Sequence, residues 1–142
     1  MDENTSVQSW IIFGELFYKH NSNNTFTIEL GQSYDLDGHW TIELLEFKCL
    51  FGDVKPDMLH VHCDICEESL AVNQHVPLLR VISIPRTKYK RFETSFNVPF
   101  AIKVMVSKLQ RLKIYITDGK GQLVSFTKEP VYMTVRIKQH GI

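Results

Sequence analysis

No stretch of the 142-residue sequence approaches the roughly 18 consecutive apolar residues that a membrane-spanning helix needs. The opening MDENTSVQS is acidic and polar, without the basic and apolar regions of a secretory leader, so no signal peptide and no secretion are expected. Cysteine is scarce and odd in number: Cys49, Cys63 and Cys66 make a disulfide framework a poor reading. Neither sign of charge is in excess. Sixteen Lys and Arg balance sixteen Asp and Glu, which removes any global pull toward nucleic acid or membrane. The same balance leaves little repulsion between copies and favours an assembled form. Helical periodicity is missing as well, apart from the short segment Glu67 to Gln74, and there is no internal repeat.

What the sequence does have is alternation. Leu59, Val61, Cys63 and Ile65 alternate with His60, His62 and Asp64, which predicts a strand with the first set inward and the histidines exposed. Val76 to Ile84, bounded by Pro85, leaves room for one strand; the long linker between these runs predicts a change of sheet. Trp10 to Tyr18 reads as an apolar strand with a bulge at Gly14. Phe26, Ile28 and Leu30 mark another, and Trp40, Ile42 and Leu44 a third. The alternation slips at Leu44-Leu45, where a bulge would keep Phe47 inward. Phe92 to Phe96, Ile102 to Val106, Leu109 to Thr117, Leu123 to Phe126 and Val131 to Ile137 follow, with a hairpin turn at Asp118-Gly-Lys-Gly121. About eight short strands predict an all-β, two-sheet antiparallel sandwich of jelly-roll or related Greek-key type. Residues 1–8 read as a flexible arm and 9–142 as one domain. The predicted core includes Trp40, Ile42, Val61, Cys63, Leu79, Val81, Ile114 and Ile116.

Chemistry-bearing patterns are few. His60-x-His62-Cys63-x-x-Cys66, with His39 and His75 nearby, has zinc-like spacing, but a strand points His60 and His62 away from Cys63. We therefore expect no metal and no cofactor. No nucleophile elbow, phosphate loop or carboxylate pair is present, so no catalytic residue is named and the chain is read as a non-enzyme. The basic run Arg86, Lys88, Lys90 and Arg91 offers an interface or a contact to packaged DNA. Asp35, Asp37, Glu67 and Glu68 offer a complementary acidic surface, and Trp10, Ile12 and Phe13 an apolar one, so these eleven residues form the candidate oligomer interface.

Several stretches occur in a telling order: Asn23-Asn-Thr-Phe-Thr-Ile-Glu-Leu30, Asp37-Gly-His-Trp-Thr-Ile-Glu-Leu-Leu-Glu46, His60-Val-His-Cys-Asp64, Val76-Pro-Leu-Leu-Arg80 and Lys113-Ile-Tyr-Ile-Thr-Asp-Gly-Lys-Gly-Gln-Leu-Val-Ser-Phe126. Together they resemble the minor capsid (penton) proteins of Polinton/Maverick-type elements and related adenovirus-like viruses, over residues 23–138. The loop from Cys49 to Asp57 is shorter than the family's. The resemblance implies a single jelly-roll in the virion, assembled in the host nucleus or cytoplasm. It implies a homo-oligomeric ring, a pentamer, at fivefold vertices, with a major capsid protein as neighbour and no membrane partner. The competing expectation is a free-standing sandwich that binds carbohydrate or a receptor.

Overall fold

The computed structural model describes residues 25–71, 73–98, 100–124, 126 and 131–140 in full, and residues 9–16 by their backbone. The sequence expectations for the arm 1–8 and for Phe17 and Tyr18 lie outside the described residues. Among the described residues eleven strands follow one another: β1 (Ser9–Leu16), β2 (Thr25–Asp35), β3 (His39–Leu50), β4 (Met58–Cys63), β5 (Ser69–Ala71), β6 (Gln74–Val76), β7 (Leu78–Ser83), β8 (Arg91–Ser95), β9 (Ile102–Lys103), β10 (Lys108–Thr117) and β11 (Val131–His140). One sheet runs β1-β11-β3-β8, with β9 also on β3; the other runs β2-β10-β4-β7, and β5-β6 is a separate hairpin. The long strands therefore alternate between sheets along the chain, except at the step from β4 to β7. Two Greek keys wound this way make a jelly-roll.

That exception corrects the expected change of sheet. β4 and β7 are antiparallel neighbours, with Leu59 opposite Ile82 and His60 opposite Val81. Their connection is long because it folds into the β5–β6 hairpin, not because it crosses the core.

The core follows the alternation. Trp40, Ile42 and Leu44 of β3, Leu59, Val61 and Cys63 of β4, and Leu112, Ile114 and Ile116 of β10 are buried. Val131, Met133, Val135 and Ile137 line the facing side of β11. The bulge expected at Leu44-Leu45 is present: Leu44 pairs with Val135 and Glu46 with Thr134, so Leu45 is the extra residue and Phe47 stays inward. A second bulge was not legible. Val61 pairs with Arg80 and His62 with Leu78, which leaves Leu79 unmatched and shifts the phase of β7 by one. Leu79 and Ile82 consequently face the core, and Val81, expected inside, is 40% exposed. No bulge forms at Gly14, because β1 pairs residue for residue with β11 from Ser9 to Leu16. Where a strand was expected from Leu123 to Phe126, the described residues make isolated bridges, Thr117 to Leu123 and Phe51 to Phe126, and Val124 N donates to Ile116 O at 3.2 Å. The Asp118 carboxylate accepts hydrogen bonds from the Lys120 and Gln122 amides at 2.8 and 3.0 Å, folding the turn on itself.

One charged pair is built into the outer face of the β3 sheet. Glu43, 5% exposed, stands opposite Arg136 in the ladder and bonds its guanidinium. Arg136→Met should cost about 2 kcal/mol, since it strands a buried carboxylate, although the guanidinium's own partial exposure keeps the loss below that of a fully buried pair. Urea unfolding checks this: Glu43→Gln added to Arg136→Met should restore part of the loss, and an unchanged single-variant midpoint would contradict it.

Candidate functional site

The jelly-roll sends its connections to two opposite ends, and the proposed interface residues divide between them. At one end the β7–β8 connection, carrying Arg86, Lys88 and Lys90, lies beside the β3–β4 loop: Phe51 N donates to Lys90 O and Ile84 N to Asp57 O. Lys55 organises this end. Its ammonium donates to Thr87 O, Thr87 Oγ1 and Tyr89 O at 3.2, 3.0 and 2.9 Å, using all three of its donors. Arg86 is 3.6 Å from Asp57 and Lys90 3.5 Å from Asp53, both in exposed pairs. Arg91 begins β8 opposite Leu50.

Asp35 closes β2 at the other end, where Leu36 N donates to Ser107 O and Trp40 Nε1 to Asp37 O. Glu67 N donates to Lys103 O, which brings Glu67 and Glu68 to this same end. The basic and acidic sets thus lie at opposite ends of the strands rather than on opposite lateral flanks. Trp10, Ile12 and Phe13 belong to β1, the outermost strand of its sheet; their side chains lie outside the described residues.

Sequence reasoning missed an apolar surface near β7. Val98 is 69% and Phe100 55% exposed, and Met105 and Leu70 are also exposed. The Arg80 guanidinium lies over the rings of Phe96 and Phe100 at 3.8 and 4.3 Å and donates to Val98 O at 3.1 Å. The available signal was a Val-Pro-Phe run interrupting two strands.

Sequence reasoning also misplaced the histidines. His60 and His62 point away from Cys63, as expected, but they are buried, not exposed. The β5–β6 hairpin lies over their face and borders a half-open pocket of about 250 Å³. His60, His62, Tyr115 and Thr117 form its floor, with Ala71, Gln74, Val76, Lys120 and Gly121 around it. The His62 ring stacks on Tyr115 at 4.3 Å, its planes 4° apart, and its Nε2 shares a hydrogen bond of 3.0 Å with Thr117 Oγ1. Burial, with the neighbouring His60, pushes its pKa down from 6.5 to about 4. Cys63 and Cys66 lie in the core on the other side, and a hydrogen bond to Cys63, reinforced by burial, raises the Cys66 thiol far above its ordinary range. The zinc-like spacing is therefore split across a sheet. No cluster of three or more His, Cys, Asp or Glu residues suited to a metal occurs among the described residues.

No protein-family model and no curated protein matches the sequence. Among solved structures, the chain is similar to one described as the structure of infectious bursal disease virus Gx strain. The identity is 11% and the TM-score 0.37, over 96% of this chain and 32% of that one. It is similar also to the crystal structure of the infectious bursal disease virus VP2 subviral particle, at 11% identity and a TM-score of 0.31, over 95% and 33%. The chain spans about a third of the length of the solved chains it matches. The jelly-roll assignment rests on strand order and register, not on these likenesses.

Proposed function

We propose that this chain is a structural subunit of a virion, a penton-like minor capsid protein that closes into a homo-oligomeric ring, a pentamer, at fivefold vertices beside a major capsid protein. One observation carries the reading. The ordered motifs of the penton resemblance fall on β2, β3, β4, β7 and β10, strands that together with β1, β8 and β11 wind the jelly-roll. A ring needs a heterologous contact, in which one surface meets a different surface of the next copy. Both ends carry charges of both signs, Asp53 and Asp57 beside Arg86 and Lys90 at one and Lys103 and Lys108 beside Glu67 and Asp35 at the other. Unlike charges can therefore be matched pair by pair across such a contact, and the apolar residues around Phe100 supply area. Asp57 and Asp53 stand beside Arg86 and Lys90, so this end offers packaged DNA a mixed surface instead of a basic one. Assembly would take place in the host nucleus or cytoplasm, with no membrane partner and no catalytic step.

The test is a triple reversal, Arg86→Glu, Lys88→Glu and Lys90→Glu, followed by sedimentation. The ring should weaken while the unfolding midpoint stays nearly constant, because exposed pairs contribute only about 0.2–1 kcal/mol each. An undiminished ring would remove this end from the contact. The alternative, a free-standing module for carbohydrate or receptor, draws on the histidine pocket, and it predicts a monomer.

A further inference from the structure

With the histidines on the far face of their sheet, Cys63 and Cys66 are left with each other. Both are free thiols and both are buried. Between them the chain makes one hydrogen-bonded turn, in which Cys66 N donates to Cys63 O at 3.0 Å. Such a turn holds its first and last Cα atoms within about 7 Å, and a disulfide spans Cα separations of about 4.4–6.8 Å. The side chains meet as well, because the Cys66 thiol is hydrogen-bonded to Cys63. The third cysteine, Cys49, is buried in β3 of the other sheet.

This turn sits where the two sheets are tied together. Cys63 ends β4, opposite Ile114 of β10. Cys66 bridges Val104, just past β9, and Val104 N donates to Trp40 O of β3 at 2.9 Å. Glu67 N to Lys103 O and Met105 N to Ile65 O, at 2.9 and 2.8 Å, complete the tie. We propose that Cys63 and Cys66 are a redox site, which hydrogen peroxide converts to a disulfide that locks this tie between the sheets. Cys63 loses its proton and its sulfur attacks one peroxide oxygen. The O–O bond breaks, a water leaves, and Cys63 becomes a sulfenic acid. The Cys66 sulfur then attacks Cys63 Sγ, the S–O bond breaks, and the departing hydroxide takes the Cys66 proton to leave as a second water. Two thiols have lost two electrons, and one peroxide has become two waters. Cys63 acts first because the hydrogen bond to it, reinforced by burial, keeps the proton on Cys66, and the attacking species is the thiolate. With both sulfurs buried, the reaction waits on opening of the turn, whose Asp64 is exposed and whose next residue, Glu67, is exposed too. A chain made under reducing conditions is thereby strengthened when it reaches an oxidising medium. The site lies within one chain, so it holds whether or not the chain forms a ring.

The experiment exposes the full chain to hydrogen peroxide with a chelator present, alkylates the remaining thiols after unfolding, and reads the peptides by mass spectrometry. The expected product carries a link between Cys63 and Cys66, lighter by two hydrogens, with the alkyl group on Cys49, and dithiothreitol returns all three thiols. The linked protein should unfold at a urea midpoint higher by about 0.5–1 M, because the link constrains the unfolded chain. Cys49→Ala should keep both the link and the rise. Cys66→Ala should lose both, with a midpoint that peroxide leaves unmoved or lowers. A link to Cys49, a link between chains, or sulfinic acid at Cys63 without any link would overturn the site. A Cys63–Cys66 link that leaves the midpoint of the unaltered chain in place, or lowers it, would overturn the lock.

Discussion

Phe47→Ala should destabilise the domain by about 4 kcal/mol, a large share of the 5–15 kcal/mol typical of a folded domain. Phe47 is completely buried, opposite Met133 on one neighbouring strand and Thr94 on the other. Both flanking strands are fixed by ladder hydrogen bonds, so the sheets cannot close over the missing ring, and the cavity term adds to the lost transfer energy. Val81→Ala is the control. It too removes an apolar side chain from a strand, but Val81 faces outward and the change should stay within about 0.5 kcal/mol. Urea unfolding of both variants checks the claim, and equal losses would mean that the phase of β3 or of β7 is wrong.

Acid should weaken the fold through His62. Its folded pKa of about 4 lies below its ordinary 6.5, so the unfolded chain takes up this proton first as the pH falls. The contribution is fully present above about pH 6.5 and is lost between there and pH 4, to a total of about 3 kcal/mol. His62→Gln should flatten the stability profile across that window, as measured by urea unfolding at pH 7, 5.5 and 4. A profile identical to that of the unaltered protein would contradict the burial of this imidazole.

Much of this architecture can be read from residue order. Val131, Met133, Val135 and Ile137 lie inside because a strand alternates its faces, and the doubled leucine at 44 and 45 announces its own bulge. The bulge at Leu79 leaves no such mark, since Leu79 and Val81 keep a perfect apolar period of two while the backbone slips between them. The candidate site was less legible for a related reason. Polar residues on the outward face of a strand look exposed until something covers them, and the cover here is a three-residue pair of strands with exposed Leu70 and His75. The distribution of charge between the two ends follows from connections alternating ends along the chain, which one-dimensional spacing does not display.

The central claim is that this jelly-roll closes on copies of itself. Sedimentation equilibrium of the full chain at high micromolar concentration and low salt tests it most directly. A single closed species of five copies, with no larger ladder, is the predicted result; a monomer under those conditions would contradict it.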